Sequence, residues 1–234
     1  MPNFKQKIKS IPLIGSLAKV IYFLFIEPFR NFPGSDDYWK KRYAQGGSSG
    51  DGSYRLLADF KADVLNTLVE EYKVNSVKEF GCGDGNQLSL LNFPVYQGVD
   101  VSPEAIALCE QQFSNDPTKE FLLLKDYQGK QSDMNMSLDV IYHLVEDEIF
   151  ENHMKQLFDS ASKLVVIYSS NTAEQQKIQG KHIRHRKFTD WLESHARNWE
   201  LVRYIPNKYP YKGDDRSGSF ADFYIYASLN PKQA

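Results

Sequence analysis

The sequence predicts an open α/β fold, with a mostly parallel sheet, helices on both faces and an antiparallel pair at its C-terminal edge. Three observations carry this. An apolar run, Val77-Lys78-Glu79-Phe80, passes directly into glycines at alternate positions, Gly81-Cys82-Gly83-Asp84-Gly85, the pattern of a buried strand followed by a tight turn. Short apolar strands then alternate with amphipathic helical stretches, as βαβ units require. The run Leu164-Val165-Val166-Ile167 is apolar throughout, as a central parallel strand buried on both faces should be.

The elements follow in order. Asp37-Tyr38-Trp39-Lys40-Lys41-Arg42-Tyr43 reads as a short helix after the Pro33-Gly34 turn. Gln45–Tyr54 is rich in glycine and serine and reads either as a linker or as a lid that orders on a ligand; the lid is favoured because of what flanks it. Arg55–Lys73 is an amphipathic helix whose apolar side is predicted to carry Leu56, Phe60, Val64, Leu65 and Leu68. A short helix is expected at Gln87–Leu91, and Val95–Asp100 is the second strand, ending in an acid. Ser102-Pro103 reads as N-cap and N1 of a helix reaching about Phe113. Phe121–Asp126 is the third strand and its exit, Asp133–Ser137 leads the fourth, and a helix follows around Glu146–Ala161. After the fifth strand come a helix at Thr189–Ala196 and two strands, Glu200–Ile205 and Ser219–Ala227, expected to pair antiparallel at the sheet edge.

Composition narrows the function. At 234 residues, with charged residues at 25% and hydrophobic ones at 41%, the chain is long enough for one α/β domain with appendages. A formal net charge of −2 gives no reason to expect a nucleic-acid partner. The two cysteines, Cys82 and Cys109, read as reduced cytosolic thiols, and no Cys/His cluster has zinc spacing, so no metal is expected.

Residues 1–35 are read as a basic N-terminal extension and 36–234 as the domain proper. In the extension, Lys5, Lys7, Lys9, Lys19 and Arg30 oppose only Glu27, and an apolar run is interrupted by Lys19. A membrane span needs about 20 apolar residues, which this run does not supply. A basic amphipathic helix on the inner face of a membrane fits the pattern, and so does a helix packed on the domain or on another subunit. The localisation expected is cytoplasmic, with peripheral contact at the inner membrane face as its extension.

Two cofactor readings meet at the glycine turn. A dinucleotide loop of the G-x-G-x-x-G type wants a third glycine where Asn86 stands, which speaks against an NAD-dependent sugar oxidoreductase or epimerase. The spacing G-x-G-x-G after a strand containing Glu79 resembles the first motif of the class I S-adenosylmethionine-dependent methyltransferases. The resemblance implies a Rossmann-like seven-stranded sheet and S-adenosylmethionine as cofactor, with S-adenosylhomocysteine as product. It implies that Glu79 holds the cofactor's amino group, that Gly81, Cys82, Gly83 and Gly85 form the turn beneath it, and that Asp100 takes both ribose hydroxyls beside Val101. A carboxylate offers two acceptors to two adjacent hydroxyls, which accounts for the residue type. Asp126 then falls near adenine. Tyr38 and Arg42, in a Y-W-x-x-R-Y segment, fall in a flap over the cofactor.

The stretch Ser137-Leu138-Asp139-Val140-Ile141-Tyr142-His143-Leu144 resembles the fourth motif of that superfamily. There the strand end, here Ser137 and Leu138, faces the transferred methyl group, which makes Asp139 and His143 the candidates to orient or deprotonate an acceptor. Arg184, His185 and Arg186 lie in a basic run that is either a solvated loop or an anion site on the acceptor. Tyr209 and Tyr211 either line an acceptor pocket or pack on their own loop. Together "KSIPLIG", "YWKKRY", "GGSSGDGSY" and "VIYSSN" look like a group of bacterial methyltransferases found among polysaccharide and glycosyltransferase genes. That resemblance implies a sugar or lipid-linked glycan acceptor, and Ser137-Leu138-Asp139 in place of the NPPY-type motif of amino methylation points to oxygen as the acceptor atom. A non-enzymatic alternative is a binding subunit that keeps the fold without turnover.

Overall fold

The structure, a computed structural model, describes residues 31–176 and 179–231. The amphipathic extension predicted over 1–30 lies outside the described residues. In chain order the elements are α1 (Ser35–Ala44), α2 (Arg55–Glu71), β1 (Ser76–Phe80), β2 (Val95–Asp100), α3 (Pro103–Gln112), β3 (Lys119–Leu123), β4 (Ser132–Leu138), α4 (Asp147–Asp159), β5 (Ala161–Ser169), α5 (Phe188–His195), β6 (Trp199–Ile205) and β7 (Asp222–Ser228). The seven strands form one sheet in the order β3-β2-β1-β4-β5-β7-β6. The first five strands pair in parallel, and β7 runs antiparallel between β5 and β6. The predicted class and the C-terminal antiparallel pair are both present.

The chain lays β1, β2 and β3 outward in one direction and then returns to place β4 on the other side of β1. This reversal leaves a crevice at the carboxyl ends of β1 and β4, the position where open α/β sheets bind ligands. The two faces of the sheet are packed separately. Leu164, Val166 and Tyr168 of β5 join the layer containing Leu65, Leu68 and Tyr96, whereas Val165 and Ile167 join Met154, Leu157 and Phe188. This is the pleat's two-residue alternation with both faces covered, and it is why β5 carries no polar side until its end.

Helix α3 begins as its sequence dictates: the Ser102 hydroxyl accepts a hydrogen bond from the Ala105 N–H, and proline occupies the first turn. Two expectations need correction. The stretch Gln87–Leu91 forms a single 3-10 turn at Leu88–Leu90. The buried side of α2 is Leu57, Ala58, Lys61, Ala62, Leu65, Leu68 and Val69, rotated from the predicted side, with Leu56, Phe60 and Val64 only partly buried. A lysine in the middle of the true apolar stripe masks it from hydropathy.

Asn135, fully buried on central β4, is an exception to the apolar rule. Its amide donates to the Leu157 carbonyl at 2.7 Å and to the Ser160 hydroxyl at 2.8 Å, which ties the strand to the end of α4. Among the described residues no helix is long and apolar enough to cross a membrane.

Leu65 has no exposed surface and sits in the α2–sheet layer. Leu65→Ala is expected to lower unfolding free energy by about 2–5 kcal/mol through lost burial and a residual cavity. Urea denaturation checks this; a loss below about 1 kcal/mol would show that the layer collapses freely around the deletion.

Candidate functional site

A cavity of about 450 Å³ opens at the carboxyl ends of β1, β2 and β4. Its floor is Glu79 and the turn from Gly81 to Gly83. One wall is Asp100 and Val101 after β2, and the other is Leu138, Asp139 and His143 after β4. Trp39 and Tyr43 of α1, Ser49 of the following segment and Lys61 of α2 complete it.

The turn has little room to spare. Gly81 and Gly83 have φ of 87° and 61°, in the left-handed region that glycine tolerates. A Cβ on Gly81 would strike the Val140 side chain, and one on Gly83 would meet Ser49 Oγ and lie 2.9 Å from the Tyr43 hydroxyl. The Gly/Ser stretch therefore lies directly on the glycine turn. The Ser49 N–H donates to Asp84 Oδ2 at 2.8 Å, and the Asp84 N–H donates back to Ser49 Oγ at 3.0 Å. Tyr54 donates its hydroxyl to the same Asp84 oxygen at 2.7 Å, and the Asn86 amide donates to the Ser53 carbonyl at 2.6 Å. Asn86, which replaces the third glycine of a dinucleotide loop, holds the segment down.

Two buried carboxylates flank the turn. Glu79 is 3% exposed, accepts the Tyr96 hydroxyl at 2.5 Å, and is pushed by burial up to about 7. Asp100 accepts the Gly83 N–H on Oδ2 at 3.0 Å and the Ser102 N–H on Oδ1 at 2.9 Å. Burial raises its pKa against those hydrogen bonds. The Val101 N–H acts on the same carboxylate, which faces the cavity.

On the opposite wall Asp139 stands at φ 60°, with both oxygens engaged. Lys61 Nζ donates to Oδ2 at 2.7 Å and the Tyr142 hydroxyl to Oδ1 at 2.7 Å. His143 Nδ1 lies 2.9 Å from the His182 carbonyl. A carbonyl only accepts, so Nδ1 carries the proton and Nε2 bears the lone pair. Burial, then the neighbouring His182, lowers the His143 pKa to about 3, so the ring is neutral near pH 7. It meets the Trp39 ring edge-on at 5.0 Å between centroids.

Of the residues singled out in the sequence, Glu79, Gly81, Cys82, Gly83, Asp100, Val101, Leu138, Asp139 and His143 are brought together around the cavity. Others are placed elsewhere. Gly85 faces Cys109 and Phe113 of the α3 region. Ser137 is buried beneath the cavity, its hydroxyl 2.8 Å from His153 Nε2. Asp126 is exposed past the end of β3, where Leu124 does the lining instead. Tyr38 stacks on His182 at 4.3 Å and Arg42 Nε donates to the Ser48 carbonyl at 2.6 Å, whereas Trp39 and Tyr43, four residues apart on one helix face, meet the cavity.

The basic run also serves another purpose. Arg184 donates to the Val145 carbonyl and pairs with Asp147; Arg186 donates to the Leu144 and Val145 carbonyls and to Asp147. These guanidinium groups clamp the segment leading into α4, outside the cavity. His185 Nδ1 pairs with the Ser170 hydroxyl at 2.7 Å. Tyr209 packs on Phe60 and Tyr211 on Phe220, each within the C-terminal loop's own surroundings. The sequence reading missed Lys61. The available signal was a charged residue at helical spacing between Leu57 and Leu65, which a purely apolar stripe would not contain.

Comparison with protein-family models and with curated protein sequences gives no match. Among solved structures, the chain is similar to the N-methyltransferase NodS from Bradyrhizobium japonicum in complex with S-adenosylhomocysteine, with a TM-score of 0.60, 13% identity, and coverage of 85% of this chain and 100% of that one. It is also similar to the magnesium protoporphyrin IX methyltransferase ChlM from Synechocystis with bound S-adenosylhomocysteine, with a TM-score of 0.57, 15% identity, and coverage of 92% and 99%. A third is the methyltransferase domain of a bacterial Hen1, at 0.56, 19% identity, and 74% and 98% coverage.

The Gly83 contacts make a direct prediction. Gly83→Ala should force Ser49 off the turn and raise hydrogen exchange of the Ser49 amide at least roughly tenfold, with the β-strand amides unchanged. Unchanged exchange at Ser49 would mean that the segment is held by Asn86 and Tyr54 alone. With its seven-stranded sheet, five parallel strands and antiparallel β7, the chain has the fold of these S-adenosylmethionine-dependent methyltransferase structures.

Proposed function

We propose that the chain is an S-adenosylmethionine-dependent methyltransferase that methylates an oxygen of a sugar or lipid-linked glycan acceptor. The observation that carries the cofactor assignment is the pair of buried carboxylates, Glu79 and Asp100, on adjacent parallel strands either side of a glycine turn with no room for a Cβ. The residues present fit the group. Asp100 presents a carboxylate to the cavity for neighbouring ribose hydroxyls, and Glu79 offers a buried acceptor to an ammonium. Gly81 and Gly83 let the chain approach closely.

When bound, the cofactor supplies an electrophilic methyl on a sulfonium. The protein's part is alignment and exclusion of water, served by the Ser49 segment and by Trp39 over the cavity. His143 presents its Nε2 lone pair to an acceptor hydroxyl. Asp139, held by Lys61 and Tyr142, shapes the wall rather than taking a proton.

The NAD-dependent alternative finds less support, because Asn86 occupies the third-glycine position with its side chain committed to Ser53. A fold-retaining binding subunit would show the same cofactor affinity without turnover. The glycan acceptor and a peripheral position at the inner membrane face rest on the sequence resemblance and on the basic character of residues 1–30.

Isothermal titration with S-adenosylhomocysteine, with NAD as control, tests the cofactor. Micromolar binding of the first and none of the second is expected, and Asp100→Ala should weaken it roughly a hundredfold or more by removing both ribose contacts. Unchanged affinity in that variant would sink the assignment of Asp100.

Glu79 adds a pH dependence. Burial raises its carboxyl to about 7, whereas a bound ammonium requires the ionised form. Below that value binding must expel a proton. Affinity for S-adenosylhomocysteine should therefore rise with pH from 5.5 towards 7, by up to roughly tenfold per unit, and then level off. Glu79→Gln should flatten the profile; a flat profile in the unmodified protein would remove Glu79 from the amino-group site.

A further inference from the structure

The proposed acceptor site contains a cation that the cofactor reading leaves unused. Lys61 has no exposed surface as a residue, yet it lines the cavity. Its one hydrogen bond among the described residues goes to Asp139 Oδ2. Its Nζ also lies 5.2 Å from the Tyr168 ring centroid. An ammonium has three donors, so two remain for a ligand. Asp139 follows β4 and Tyr168 lies on β5, and the Lys61 charge also reaches Glu79 on β1, so this cation stands between the proposed amino-group site and the β4–β5 side of the sheet's reversal point. Asp100, at the end of β2, stands on the other side. Asp139 balances its charge, and the spare donors on the cavity wall call for a strong acceptor, which a carboxylate oxygen supplies.

The same wall is poor in proton acceptors. Both Asp139 oxygens are occupied. His143 is a weak base at about 3. Asp36 also lines the cavity, beside Ser35, whose hydroxyl bonds Glu146, and burial pushes its carboxyl up. An aliphatic hydroxyl would have to give up its proton during transfer, and a carboxylate would not.

Resting on the methyltransferase reading above, we propose that the acceptor is a uronic-acid-type sugar whose carboxylate is bound by the Lys61 ammonium and is itself the group methylated. A neighbouring hydroxyl of the sugar donates to His143 Nε2. The carboxylate oxygen forms the new C–O bond, the S–CH3 bond breaks with its electron pair passing to sulfur, and no proton changes place. The products are a methyl ester and a neutral sulfide. Lys61 donates a hydrogen bond to the carboxylate as it enters and orients one oxygen towards the cofactor side.

The test is calorimetric titration of the full-length protein, saturated with S-adenosylhomocysteine, with D-glucuronate and with D-glucose as neutral control. Glucuronate is expected to bind at least roughly tenfold more tightly than glucose. Lys61→Gln should erase the difference while S-adenosylhomocysteine affinity changes less than about threefold. Removing one partner of a buried ion pair can unfold a protein, so Lys61→Gln/Asp139→Asn, which leaves no unpaired charge, is measured alongside and should show the same loss of preference. Equal affinity for the two sugars, or no binding of glucuronate, overturns the proposal. So does loss of S-adenosylhomocysteine affinity in both variants, which would assign Lys61 to the cofactor's own carboxylate. Failure of the unmodified protein to bind S-adenosylhomocysteine in the first step would instead overturn the methyltransferase reading.

Discussion

The glycine turn after β1 is the constraint on which the rest of the structure depends. Its backbone runs through the left-handed region at Gly81 and Gly83, and the space that side chains would fill is taken by Val140, Ser49 and Tyr43. These neighbours come from three distant parts of the chain: the exit of β4, the Gly/Ser segment and α1. A Cβ on Gly81 would push against Val140, and one on Gly83 against Ser49 and Tyr43. The turn therefore forms the floor of the cavity and also sets the distance at which its walls and cover can stand.

Charge within the cavity is organised around the same turn. Glu79 and Asp100 are buried with few countercharges, and burial holds both carboxyls towards their neutral forms. A ligand with an ammonium and a diol would relieve that cost, which converts an unfavourable empty site into selectivity for such a ligand. The Lys61–Asp139 pair is balanced internally and lies across the reversal point of the sheet. One side of the cavity thus gains most from a cationic group, and the other offers the spare donors of an already paired ammonium.

The Gly/Ser segment and the basic run show how composition misleads when read alone. Glycine and serine suit a linker, yet here they allow close packing on the turn, with Ser49 exchanging hydrogen bonds with Asp84. Clustered arginines suit an anion site, yet Arg184 and Arg186 satisfy the carbonyls of Leu144 and Val145 ahead of α4. In both cases the partners are remote in sequence: 35 residues for Ser49 and Asp84, and 39 for Arg184 and Val145.

The sequence by itself determined the class of fold, the antiparallel pair at the C-terminal edge, and the carboxylates Glu79 and Asp100 beside the glycine turn. These are local signals: residue types at short spacings, where backbone geometry and strand burial act directly on the neighbouring residues. Helix boundaries followed where a cap was local, as at Ser102, and the buried side of α2 did not, because it depends on what α2 packs against. Tertiary structure alone decided which residues of α1 face the cavity, which His143 nitrogen carries the proton, and that Asp139 is paired with Lys61. Each of those is settled by a contact between segments far apart in the chain, and no spacing along the chain encodes where a distant partner will come to rest.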